Sequence, residues 1–75
     1  MDSVLVNRNL LKSQMILKGV DNNKLAETQG WSKTTVYRKI NGKTAFTAPE
    51  IQVCVGLLNL DSKTASEIFF ATIVS

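Results

Sequence analysis

Apolar residues recur at three- and four-residue intervals along most of the chain, a spacing that predicts helices rather than strands. Leu11 and Met15 are four residues apart, as are Val36 and Ile40. Side chains at that interval lie on the same face of a helix. We therefore expect several short helices with inward-facing stripes. In the fourth helix the stripe is Ile51, Cys54, Val55 and Leu58, and in the second the buried positions are Leu25 and Ala26.

Capping residues set the expected limits of the first two helices. Asn7 or Asn9 can begin the first helix, which then runs to about Lys18 and ends at Gly19. Asp21 is a favourable N-cap for the second helix.

Residues 21–42 divide into two short helices joined by a tight turn at Gly30, where we expect a positive φ angle. Trp31 would anchor the turn in the core, and Ser32 would cap the third helix. The pair at 41–42, Asn-Gly, ends that helix.

The clearest boundary in the sequence precedes the fourth helix. Thr47 and Glu50 form a capping box, and Pro49 lies in the first turn, where its missing N–H costs nothing. We expect this helix to run to about Leu58, and Leu60 to turn into the core.

The fifth helix has two candidate starts. Thr64 and Glu67 form a second capping-box pattern, whereas Asp61 is a competing cap that would begin the helix earlier. Residues 3–6 could be a short strand or the start of the first helix. The tail at 71–75 favours β structure and could pair with residues 3–6 as a small two-stranded patch.

The length of 75 residues predicts one small domain, and an apolar content of 44% is enough for a core. No stretch approaches the roughly 20 apolar residues of a membrane span, and the N-terminus lacks the pattern of a signal peptide. We therefore expect a cytoplasmic protein that does not contact the membrane.

Reactive side chains are scarce. Cys54 is the only cysteine and there is no histidine, so an intrachain disulfide, a nucleophile–base pair and a zinc site are not expected. We predict that the protein is not an enzyme, binds no metal or cofactor, and uses Cys54 as a small core residue.

Charge is distributed unevenly. Residues 12–43 hold seven basic and two acidic residues, whereas residues 44–75 hold one basic and three acidic residues. A basic middle suggests one face directed at a polyanion, although an ordinary solvated surface would have the same composition.

Three stretches, LAETQGWSKTTVYRKINGK, FTAPEIQVCVGLLNL and EIFF, resemble the helix-turn-helix of the phage Cro/repressor (Xre-like) family. The resemblance includes the spacing of Ala26, Gly30 and Val36, and it covers about residues 7–70. Two positions differ. Asn22 stands where the family usually has Gln, and Lys39 stands where it is often apolar, with Ile40 expected to take the inward role.

The resemblance implies an all-α, compact five-helix bundle, a lambda-repressor-like DNA-binding domain spanning 1–75 with its motif at about 22–41. It further implies a sequence-specific transcriptional regulator that binds double-stranded DNA at a palindromic operator as a homodimer. Small members of this length are often phage or prophage Cro-like repressors. No small-molecule ligand is expected.

The N-terminal end of a helix in the major groove points at base edges, so Lys33, Thr34 and Tyr37 are the candidates for base contacts. An alternative for Tyr37 is partial burial against Trp31. The candidates for phosphate contacts are Asn22, Arg38, Lys39, Asn41 and Lys43. For Lys39 and Lys43 the alternative is simple solvation, and Arg38 could instead pair with Glu27.

Several apolar residues exceed what one small core needs, and they are candidates for a dimer interface: Val53, Leu57, Phe69 and Ile73. Alternatively, Phe69 or Phe70 closes the core. The same surplus motivates a second functional hypothesis, a phage modulator or antitoxin-like protein whose main partner is another protein.

Overall fold

The structure is a computed structural model that describes residues 6–69. This part of the chain contains five helices. They are α1 (Arg8–Lys18), α2 (Asn22–Gln29), α3 (Lys33–Ile40), α4 (Ala48–Leu58) and α5 (Ser62–Ile68). The all-α, five-helix architecture expected from the sequence is confirmed. The suggested β-pair lies outside the described residues, apart from Val6, which is buried in the core.

Side-chain caps begin the first three helices where the sequence predicted them, with Asn7 rather than Asn9 starting α1. Each capping side chain accepts a hydrogen bond from the backbone N–H three residues later. Asp21, for example, accepts from the Lys24 N–H at 2.8 Å. These bonds satisfy backbone donors that have no partner within the helix.

The boundary before α4 is a complete capping box. The Glu50 N–H donates to Thr47 Oγ1 at 3.4 Å, and the Thr47 N–H donates to Glu50 Oε1 at 2.9 Å. Glu50 is therefore held on the first turn of α4 by a bond to the cap residue's own backbone.

The fifth helix begins at Ser62 because Asp61 is its cap and accepts from the Thr64 N–H at 2.7 Å. This hydrogen bond lowers the pKa of Asp61 below its ordinary value. The prediction of a second capping box at Thr64 is wrong, and the competing start at Asp61 is confirmed.

All five helices contribute to one hydrophobic core. The start of α1 is tied to the end of α5, because the Asn7 N–H donates to the Ile68 carbonyl at 2.7 Å. The buried apolar residues are Val6, Leu11, Met15, Leu25, Val36, Ile40, Phe46, Ile51, Cys54, Leu58, Leu60, Ala65, Ile68 and Phe69.

None of the helices within residues 6–69 has the length and apolar content needed to cross a membrane.

Candidate nucleic-acid interface

The turn between α2 and α3 consists of three residues, Gly30 to Ser32. Gly30 has the expected positive φ, +75°, and its N–H donates to the Ala26 carbonyl. The Trp31 N–H donates to the same carbonyl at 2.9 Å. These bonds close α2, and Ser32 then begins α3 by accepting from the Thr35 N–H at 3.2 Å.

The outward face of α3 carries four exposed side chains, Lys33, Thr34, Tyr37 and Arg38. Lys33 and Tyr37 are one turn apart, as are Thr34 and Arg38, so the four form a continuous surface. Tyr37 is 60% exposed. Its predicted exposure is confirmed, while the Trp31 ring packs instead against Phe46, with centroids 5.7 Å apart.

The inward face of α3 holds Val36 and Ile40, as predicted, but also Lys39, which is only 6% exposed. The prediction that Lys39 lies on the outside and contacts phosphate is wrong. Its ammonium donates to Glu50 Oε1 and to the Ala45 carbonyl, each at 2.6 Å. A buried ammonium needs such partners, because an unpaired charge in the core is costly.

Glu50 is the acidic partner of this ion pair. Burial by itself would raise the pKa of Glu50, but the hydrogen bonds from Lys39 and the Thr47 N–H, together with the Lys39 charge, hold it below its ordinary value. The carboxylate is thus ionised at neutral pH, and Lys39 has no free charge to offer a polyanion.

A groove of about 840 Å³ lies between α1, the start of α2 and the second half of α3. It brings together three predicted DNA contacts, Asn22, Tyr37 and Asn41. It also includes Lys12 and Asn23, which sequence analysis did not identify as site residues. Only the packing of α1 beside α3 brings Lys12 to this position, so no local pattern could have indicated it.

The remaining predicted contacts lie outside this groove. Lys43 is exposed, and its N–H donates to the Arg38 carbonyl at 2.8 Å, just beyond the end of α3. Arg38 forms no ion pair within residues 6–69. Glu27, its suggested partner, instead lies 3.9 Å from Lys24 Nζ. Both the Arg38 and the Lys43 side chains are exposed.

Of the four candidate dimer residues, the structure describes three. Phe69 is fully buried and closes the core, as its alternative proposed. Val53 and Leu57 are half-buried on α4. Ile73 and Phe70 lie outside the described residues.

Among residues 6–69, the most exposed large apolar side chains are two neighbours on α1. Ile16 is 81% exposed and Leu17 is 72% exposed. Ile16 also lines the groove beside Tyr37.

Cys54 is completely buried and receives a hydrogen bond from Gln29 Nε2 at 3.4 Å. Burial raises the pKa of its thiol to about 11, with a small opposing effect from Gln29. Its role as a core residue is confirmed. Within residues 6–69, no three His, Cys, Asp or Glu side chains cluster so that they could hold a metal ion.

Comparison of the chain with protein-family models, with curated proteins and with solved structures finds no match.

Proposed function

We propose that the protein is a sequence-specific regulator of transcription that binds double-stranded DNA through α2 and α3, which form a helix-turn-helix motif. One observation carries the proposal. The capped α3 presents a continuous exposed face of Lys33, Thr34, Tyr37 and Arg38, while its opposite face is fixed in the core. A helix of this kind fits the major groove of B-DNA.

In this proposal α3 is the recognition helix. Lys33 donates to guanine O6 or N7, Thr34 contacts a base edge or a thymine methyl, and Tyr37 offers its ring edge and hydroxyl. The proposed phosphate contacts are Asn22, at the start of α2, together with Arg38, Asn41 and Lys43. Lys39 is no longer among them. Lys12 joins the candidates because it lines the same groove as Asn22 and Asn41.

We further propose that the protein acts as a homodimer on a palindromic operator, like the small phage or prophage Cro-like repressors that its sequence resembles. Two recognition helices would then lie about 34 Å apart on one face of the duplex. Such a regulator works in the bacterial cytoplasm, where its operator is accessible.

Selection of bound sites from random duplex DNA, followed by gel-shift titration, tests this proposal. We expect a palindromic site whose affinity falls steeply between about 50 and about 200 mM salt. Lys33→Ala should weaken the binding free energy by about 1–3 kcal/mol and relax the preference for one base. Arg38→Ala should weaken binding to all sequences and reduce the slope of log affinity against log salt concentration, the salt slope, by about one.

Lys63→Ala is the matched control, because Lys63 is an exposed base on α5, a helix that packs against α1 and lies outside the proposed motif. It should leave both the affinity and the salt slope unchanged. The proposal fails if neither Lys33→Ala nor Arg38→Ala weakens binding to any duplex.

A second candidate function is that of a modulator or antitoxin-like protein whose main partner is another protein. The exposed pair Ile16 and Leu17 favours it, since neighbouring apolar side chains at the surface often mark protein contacts. Analytical ultracentrifugation with and without DNA, and a pull-down from host lysate, separate the two functions. The double change Ile16→Glu and Leu17→Glu should abolish capture of the partner, whereas Gln52→Glu on the exposed side of α4 should not. Absence of any tight protein partner would exclude this function.

A further inference from the structure

Through its two oxygens, the carboxylate of Glu50 contacts the turn before α3 and the last turn of α3. Trp31 Nε1–H donates to Oε2 at 3.3 Å, and Trp31 immediately precedes the Ser32 cap of α3. Lys39, the penultimate residue of α3, donates to Oε1 at 2.6 Å. One side chain on α4 thus fixes the position of the neighbouring helix at its beginning and at its end.

The Glu50 side chain is itself immobilised. Oε1 also accepts the Thr47 N–H at 2.9 Å in the capping box of α4. The backbone of the same residue holds α2, since Gln29 Nε2 donates to the Glu50 carbonyl at 2.9 Å. Glu50 therefore connects α2, the turn, α3 and α4 at one point.

The Lys39 side chain is enclosed on every side that Glu50 leaves open. Its ammonium also donates to the Ala45 carbonyl, in the loop that follows α3. It lies 5.4 Å from the centroid of Trp31 and 5.9 Å from that of Phe46, both within the range of a cation–π contact. Lys39 acts within the protein and cannot reach a phosphate without leaving this enclosure.

We propose that Glu50 is a positioning residue for α3. Through Trp31 and Lys39 it sets the orientation in which α3 presents Lys33, Thr34 and Tyr37, and so determines sequence specificity without touching DNA. This inference rests on the proposed function. Hydrogen bonds to base edges are strongly directional, whereas phosphate contacts are sequence-independent and more tolerant of displacement. Loosening α3 should therefore reduce specific binding more than non-specific binding.

Two variants loosen the contacts between Glu50 and α3, Trp31→Phe at the beginning of the helix and a double variant at both ends. Trp31→Phe removes the Nε1–H donor and keeps an aromatic ring against Phe46. The double variant Lys39→Met, Glu50→Gln removes the ion pair without leaving a buried charge, and Gln at position 50 can still complete a capping box. Thr47→Ala is the matched control, since it weakens the cap of α4 but removes no contact between Glu50 and α3.

The measurement is the ratio of affinities for the selected operator and for an unrelated duplex, with the folded fraction of each variant determined by circular dichroism. We expect operator affinity to fall about tenfold in both variants, the equivalent of one base contact. Affinity for unrelated DNA should change less than about twofold, and the salt slope should stay that of the wild type. Thr47→Ala should keep the wild-type ratio.

The inference would be overturned if both variants kept the wild-type ratio of operator affinity to unrelated-duplex affinity. It would also be overturned if that ratio changed only in proportion to the folded fraction. The single variant Lys39→Met provides a further test. If it reduces the slope of log affinity against log salt concentration by about one, Lys39 is a phosphate contact and the inference is overturned. If the wild-type protein binds no duplex, the proposed function fails separately. Amide hydrogen exchange then tests the role of Glu50 without DNA. Faster exchange confined to α3 in both variants supports it, and unchanged exchange contradicts it.

Discussion

Phe69 packs edge-on against Phe46, with ring centroids 5.0 Å apart and planes inclined at 65°. Phe46 packs in turn against Trp31, so a row of three aromatic rings runs from the end of α5 to the turn before α3. Edge-to-face pairs contribute about 0.5–1.5 kcal/mol beyond the burial of their surface. The last described residue of the chain thereby supports the surface proposed to bind DNA.

Phe69→Ala should lower the free energy of unfolding by about 3–5 kcal/mol, because it leaves a cavity beneath Phe46. Phe69→Leu keeps most of the side-chain volume and should lower the free energy of unfolding by a smaller amount. Urea denaturation followed by circular dichroism measures both. A variant that keeps its stability but loses self-association would instead place Phe69 in a dimer interface.

Gly30→Ala should destabilise the protein by about 1–2 kcal/mol, the cost of a left-handed backbone for a residue with a Cβ atom. The φ angle is +75° and a Cβ atom would meet nothing within 4 Å, so backbone strain is the only penalty. Gly56→Ala is the matched comparison. Gly56 lies within α4 without a positive φ and has similar open space, so alanine there should stabilise by about 0.5–1 kcal/mol. Equal effects at the two positions would contradict this explanation.

Stability should decrease in acid partly through Glu50. The pKa of this carboxyl is lower in the folded protein than its ordinary value of 4.5. A group with a lowered folded pKa adds stability above its unfolded pKa, and that stability is lost as the pH falls through the folded value.

We therefore expect Glu50→Gln to be less stable than the wild type at pH 7 and the difference to narrow below about pH 4.5. Urea denaturation at a series of pH values measures it. A difference that stays constant down to pH 3 would show that the charge of Glu50 contributes nothing to stability.

Cys54 should be nearly unreactive toward a thiol reagent in the folded protein. The pKa of its thiol is raised to about 11 from 9.0, and the side chain is completely buried, so thiolate is both rare and inaccessible. Labelling with Ellman's reagent should require unfolding and accelerate with urea. A Cys54→Ala, Ser66→Cys variant carries its thiol at an exposed position of α5 and should react at once. Rapid labelling of native Cys54 would contradict its burial.

The starts of the first four helices follow from local sequence alone. Asn7, Asp21, Ser32 and the Thr47–Glu50 capping box marked their starts, since a cap bonds to a backbone group only three residues away. Helical spacing likewise identified the inward residues, because a helix fixes which side chains share a face. The exposed Lys33, Thr34, Tyr37 and Arg38 followed from the same periodicity.

The burial of Lys39 and the position of Lys12 depend on tertiary packing and not on local sequence. Lys39 is buried because its ammonium binds Glu50, eleven residues later, and the carbonyl of Ala45 in the loop between them. A helical pattern does not predict such a contact, because the two partners lie outside α3. Lys12 joins Asn22 and Asn41 only because α1 packs beside α3. Contacts between residues distant in the chain depend on how helices are oriented against one another, and that orientation emerges from the packing of the whole core.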